Sequence, residues 1–156
     1  MPSDSESTMN LPQLKLPEFD CKVKAEGDEK YIFDIIRKKY LHLTPEEWVR
    51  QHFIHLLINH LGYPPGLFQI ERGHQYFGSA KRSDILILNT SGQPQLLVEC
   101  KAASVNIDKV ALTQIATYNK TIGANYVAIS NGMTHFVWEY KGDGYEQLKN
   151  FPAYIG

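Results

Sequence analysis

Asp84 opens the apolar run "DILIL", and Glu99 and Lys101 close a second one, "LLVECK". Charges at the ends of apolar strands are costly to bury unless they are paired or bind metal. Side chains alternate along a strand, so Glu99 and Lys101 share one face while Val98, Cys100 and Ala102 take the other. The Cα atoms of Glu99 and Lys101 then stand roughly 6.6 Å apart. Asp84 comes within reach if the hairpin register sets the start of its strand beside the end of its partner. Two converging carboxylates make a hard-oxygen site suited to Mg2+ or Mn2+. A lysine beside them can hold and polarise the water that such an ion activates. The chemistry this set suits is hydrolysis of a phosphodiester.

Elements must position these residues, and the chain supplies signals for them. In "LTPEEWVRQHFIHLLINHLGY", Thr44 is an N-cap, Pro45 suits the first helical position, and Glu46 and Glu47 favour the positive end of the dipole. Trp48, Phe53, Ile54, Leu57, Ile58 and Leu61 recur at helical spacing, and Gly62 is the stop signal. Strands are predicted over residues 67–77, 84–88 and 95–101, with "NTSGQP" as the hairpin loop between the last two. A second helix is expected over 105–121, then a buried strand over 125–130, a tight turn at Asn131-Gly132 and a last strand over 134–140. This order predicts an α/β protein with a mixed sheet and helices on its faces. Upstream, residues 1–10 read as a flexible polar leader. Residues 11–30 read as an extended arm, and residues 31–36 as a short strand running into the basic Arg37-Lys38-Lys39.

The 156 residues bound one domain, residues 31–156, with a core of its own. A net charge of -1 gives no global basic signature, so any contact with nucleic acid must be a local patch. Cys100 inside an apolar strand reads as a buried thiol. No apolar run reaches the length of a membrane span and no signal peptide opens the sequence, so the expected location is cytoplasmic.

Asp84 with Glu99-Cys100-Lys101 resembles the D…ExK core of the PD-(D/E)xK nuclease superfamily, the restriction-endonuclease-like fold, with Ser83 where that family has proline. "LTPEEWVRQHFIHLLI", "KRSDILIL", "LLVECKA", "QIATYN" and "ISNG" are together similar to the N-terminal nuclease domain of type I restriction enzyme R subunits, over residues 31–138. The resemblance implies an αβββαβ core and a metal-dependent endonuclease, with Mg2+ (or Mn2+) held by Asp84 and Glu99. It also implies that a glutamate of the first helix reaches the metal. Glu46 and Glu47 both fit, Glu47 is preferred, and Arg50 one turn on shares its face. Gln114 and Tyr118 match the QxxxY element of some branches and would assist DNA handling. With Ala111 and Ile107 they are expected to turn inward. Lys81-Arg82, just before the aspartate, suit phosphate contacts.

Other patterns read as plain structure. His52 and His55 have no cysteine cluster or second histidine pair to complete a zinc site and read as surface residues. Ser83 has no histidine partner that would make it a nucleophile, and Gly73, Gly78 and Gly92 belong to turns. No Walker motif occurs, so the expectation is a stand-alone relative or an excised domain rather than a whole ATP-dependent subunit. DNA is the implied partner, with helicase or methylase subunits of a restriction-modification system acting in trans. Cutting both strands would call for a homodimer or two bound copies. Two readings compete with the enzyme. One is a nuclease-fold scaffold with little activity of its own, and the other is a plain α/β domain that leaves the three strand-end charges unexplained.

Overall fold

The computed structural model describes residues 11–70 and 84–156, apart from the side chains of Ile70 and Asp84. The leader 1–10, part of the strand expected at 67–77, Ser83, Gly73, Gly78 and the phosphate candidates Lys81 and Arg82 fall outside the described residues. Within them the chain is a mixed α/β protein with two sheets and two helices.

Strands β1 (Val23–Glu26), β2 (Glu29–Asp34) and β3 (Lys39–His42) form an antiparallel meander. Helix α1 (Pro45–Asn59) follows, then a 3-10 turn at Pro65–Leu67 and strands β4 (Phe68–Ile70), β5 (Asp84–Leu88) and β6 (Pro94–Cys100). Helix α2 (Lys109–Ile122) leads to β7 (Tyr126–Ser130), β8 (His135–Tyr140) and β9 (Tyr145–Leu148). Strands β4 to β9 lie in sequence order in one six-stranded sheet. Only the β6–β7 pair in it is parallel, joined by the α2 crossover. The sheet is mixed, as expected.

Alternation along the strands builds two cores. Ile85, Ile87, Leu96, Val98 and Cys100 face α1 and meet Phe53, Ile54 and Leu57. Leu86, Leu97, Val127 and Ile129 take the other face and meet Ile115 and Ile122 of α2. Burying a large aliphatic side chain contributes about 1.5–3 kcal/mol, so a sheet covered on both faces readily holds charges at its strand ends. Helix α1 is capped as its sequence implies, the Thr44 hydroxyl accepting from the Glu47 N–H at 3.0 Å.

Four readings need correction. Residues 11–30 are not simply extended, because β1 and the start of β2 form there. The second helix begins at Lys109, capped by the Asp108 carboxylate accepting from the Ala111 N–H at 2.9 Å. Residues 105–108 are therefore loop, and Ile107 lies ahead of the helix. The buried stripe of the helix is Ile115, Asn119 and Ile122; Ile107, Ala111 and Tyr118 pack half-buried against the same core as expected, while Gln114 is exposed. The strand expected to be last is followed by β9. Finally, His52 is buried and His55 half-buried under Phe19, whose ring stacks on His55 at 4.1 Å and meets His52 edge-on at 4.8 Å.

The Asn131-Gly132 turn is built for close approach. Gly132 has φ +85°, and a Cβ there would lie 2.7 Å from the Leu14 side chain. The Asn131 amide donates to the Val105 carbonyl at 2.8 Å, tying this turn to the loop after β6. No helix among the described residues is long and apolar enough to cross a membrane.

Candidate functional site

The hairpin register sets Asp84 directly opposite Glu99. Cross-strand partners share a face of the sheet and lie about 4.5–5.5 Å apart at Cβ. Glu99 follows Leu97 on the side that α2 covers and is 1% exposed. Lys101, just beyond the end of β6, brings its Nζ to 2.9 Å from Glu99 Oε2. Its backbone N–H donates to the Ser130 carbonyl at 2.8 Å, so the parallel ladder with β7 fixes where the lysine leaves the strand. Glu99 and Lys101 therefore act from one face, as their spacing implies. A buried carboxylate held by a lysine that keeps 28% of its side-chain surface open is a charge pair at the rim of a core, reachable by a polar ligand.

Gln114 and Tyr118 lie on α2, the helix packed on that same face. Their i, i+4 spacing keeps them on one side of it, with Gln114 in solvent and Tyr118 against the α2 core.

Glu47 and Arg50 do meet across one turn, forming an ion pair. The pair is part of a larger network. Arg50 Nη2 also donates to Asp34 Oδ2 at 3.1 Å, and Gln51 Nε2 donates to Asp34 Oδ2 at 3.1 Å and to Glu47 Oε2 at 2.9 Å. Asp34 Oδ1 accepts the N–H groups of Ile36 and Arg37 at 2.8 and 2.9 Å. Burial pushes the Asp34 carboxyl up, but the Arg50 guanidinium and these hydrogen bonds outweigh it and hold the group below the usual carboxylate range. The structure engages Glu47 in this network through Arg50 and Gln51. Glu46, the other possibility, is exposed. Asp34 and Gln51 were not anticipated as polar core residues. The signal was present in the alternation of β2, which turns Asp34 inward with Ile32.

A second network surrounds the β7 end. Ser130 Oγ lies 2.6 Å from His135 Nδ1 and accepts from the Gly132 N–H at 2.8 Å. His135 Nε2 donates to the Lys15 carbonyl at 3.0 Å, and in the neutral ring Nδ1 then accepts from the Ser130 hydroxyl. Burial, first among the causes, lowers the pKa of His135, His52 and His55 below the ordinary imidazole value of 6.5. The folded state thus prefers neutral rings, and the unfolded chain binds more protons just below that value. Stability from these rings is complete above about pH 6.5 and is lost as pH falls toward the lowered folded values. The melting temperature is expected to drop as pH falls below about 6.5. His135→Gln should flatten that drop when followed by calorimetry, and an unchanged profile would assign it elsewhere.

Among the described residues no group of three histidine, cysteine, aspartate or glutamate side chains is placed to hold a metal ion. The donors in question are Glu99 and, across the register, Asp84. Hard carboxylate oxygens at a strand end fit a small divalent cation.

A family model described as Type I restriction enzyme R protein N terminus matches residues 45–152. The match takes in α1, the six-stranded sheet and α2, and leaves the β1–β3 meander outside. A search of curated proteins found no match.

Proposed function

Since the chain belongs to the type I restriction enzyme R protein N-terminal family, we propose that it is a metal-dependent DNA endonuclease domain acting at Asp84, Glu99 and Lys101. The observation that carries this reading is the buried Glu99 paired with Lys101 at 2.9 Å, with Asp84 directly across the ladder. A strand end that needed only stability would be better served by apolar residues, because a buried ion pair is weak evidence of stabilisation. We read α1, β4, β5, β6, α2 and β7 as the αβββαβ core of the restriction-endonuclease-like fold.

Asp84 and Glu99 would hold Mg2+ or Mn2+, which supplies Lewis-acid stabilisation of charge on a scissile phosphate. Lys101 donates to the attacking water and fixes its line of approach. Gln114 and Tyr118 on α2 guide the DNA strand past this face, and Lys81 and Arg82 contact phosphate. Glu47 supports the site through the Arg50–Asp34 network. DNA is the substrate, and helicase and methylase subunits of a restriction-modification system are the partners. Double-strand cutting takes two copies.

Incubation with plasmid and linear duplex in Mg2+ or Mn2+ tests the reading. Cleavage by the parent is expected, and Asp84→Asn and Glu99→Gln should lose it. Binding of a divalent ion to the folded state should also raise stability by mass action, about 1–3 kcal/mol at roughly ten- to hundredfold excess over Kd. Asp84→Asn should blunt that gain and, by removing one of two neighbouring negative charges, should not destabilise the metal-free protein. If calorimetry shows no divalent binding at millimolar concentration, the nuclease-fold scaffold becomes the better account.

A further inference from the structure

The meander presents a surface that the nuclease reading leaves unused. Ile32 and Asp34 of β2 turn inward and are fully buried, so Tyr31 and Phe33 face outward. The register lines up Lys24, Tyr31 and His42 in one row of that outer face, and Phe33 and Tyr40 in the next. The Phe33 N–H donates to the Lys22 carbonyl at 2.9 Å, which extends the second row to Lys22. The rings touch, with Tyr31 and His42 at 5.7 Å and Phe33 and Tyr40 at 5.3 Å. Lys24 Nζ sits 4.4 Å above the Tyr40 ring, and Tyr40 is 38% exposed.

Charge is sorted along the strands. Lys22 and Lys38 lie toward the β2–β3 turn, and Lys24, one row back, reaches over Tyr40 toward them; all three are exposed. Glu26, Asp28 and Glu29 occupy the other end, where Glu29 Oε2 meets His42 Nε2 at 2.6 Å and Glu26 lies 3.6 Å from Lys24. The overall charge of -1 conceals this local separation.

Lys38 adds a further observation. Its φ is 59°, in the left-handed region that favours glycine. The turn is held by Asp34, whose side chain accepts from Ile36 and Arg37 and whose carbonyl accepts from Lys38 at 2.7 Å. Glycine would fit there with less strain, and an exposed lysine serves no packing purpose. What lysine adds is a cation beside the aromatic rows, and strain kept at such a place points toward function.

We propose that the outer face of the meander binds single-stranded DNA. Unpaired bases stack on Tyr40 and Phe33, while phosphates meet Lys22, Lys24 and Lys38. A duplex offers phosphates but hides its base faces, so the aromatic rows suit single strands. Lys24 has a flexible stem and gives up its place over Tyr40 to a base as its ammonium turns to a phosphate. The surface lies outside the family match and needs no chemistry at Glu99, so it stands or falls separately from the nuclease reading.

Fluorescence anisotropy of the whole chain with labelled oligothymidylate of about 20 nucleotides, in EDTA to prevent cleavage, tests the proposal. Tyr40→Ala is expected to weaken binding about 5- to 150-fold. Lys38→Gly and Lys22→Gln should each reduce the salt slope by about 0.7. Lys38→Gly should also raise the melting temperature by about 2–4 °C, which shows that its loss of binding is not a loss of fold. Lys101→Ala should bind oligothymidylate like the parent even where it cannot cleave. The proposal is overturned if the parent does not bind at low salt, or if Tyr40→Ala and Lys38→Gly leave affinity and slope unchanged. It is equally overturned if these substitutions abolish self-association instead, which would make the face a protein-docking surface.

Discussion

Lys101→Ala is expected to lower DNA cleavage by about 10²–10³-fold while leaving divalent-ion and DNA affinity close to those of the parent. The lysine reaches Glu99 Oε2 at 2.9 Å from beyond the strand end and keeps 28% of its side chain open. A point charge beside the attacking water matters most once charge has developed, so its loss should appear in kcat rather than in ground-state binding. Single-turnover kinetics at saturating enzyme, with calorimetry for the ion, separates the two. The substitution also leaves Glu99, 1% exposed, without this ion pair, so the variant's melting temperature must be measured beside its rate. Gln114→Ala should weaken productive DNA binding with a milder loss of rate, because Gln114 stands in solvent on α2. Cleavage by Lys101→Ala at the parental rate would assign the activity to a contaminant or to another site.

The Asp84, Glu99 and Lys101 set was legible because it violates the pattern around it. Alternation requires apolar residues at the ends of strands buried on both faces, and three charges break it at one end of the hairpin. The register was not legible from the loop alone: continued from Leu88 opposite Pro94 it would set Asp84 against Val98, and a bulge between Ile87 and Leu88 shifts it by one residue to Glu99. The loop itself is closed by the Asn89 side chain, which accepts from the Ser91 and Gln93 N–H groups. Helix α1 was legible for a similar reason, since Thr44, Pro45 and Gly62 mark its ends locally.

What escaped the sequence depends on contacts that local pattern does not encode. Every residue of β1 is exposed, so "VKAE" shows no apolar alternation, and only pairing with β2 makes it a strand. β9 is exposed at Tyr145, Glu146 and Gln147 and owes its place to β8. The α2 boundary moved because Asp108 caps the helix in place of Val105, and Gln114 is exposed because the most buried stripe runs through Ile115, Asn119 and Ile122. His52 read as a surface residue because the cover over it, Phe19, comes from 33 residues upstream in a proline-rich segment with no pattern of its own.

Asp34→Ala should cost about 3–5 kcal/mol of stability, a fall in melting temperature of roughly 6–20 °C, although Asp34 lies outside the region matched by the family. Both Asp34 and Arg50 are fully buried, and removing one partner strands the other charge away from water. Arg50 is poorly placed to absorb the loss, since its Nε and Nη1 make no hydrogen bond among the described residues and only Glu47 would remain to neutralise it. The β2–β3 turn would lose its two side-chain anchors at the same time. Replacing both partners, Asp34→Leu with Arg50→Met, should recover much of the loss, because an apolar pair of similar volume avoids the desolvation cost. The pH dependence gives an independent check. The Asp34 carboxyl is held below its ordinary value of 3.8, so its contribution is present above that value and lost as pH falls through the lower folded one. The parent should therefore lose stability in two separate acid windows, the histidine window below about pH 6.5 and the Asp34 window below about pH 4, and Asp34→Ala should lack the second. Denaturant titration of the variant at neutral pH, yielding parental stability, would show that the buried network contributes nothing and that the meander is held to α1 by its apolar contacts alone.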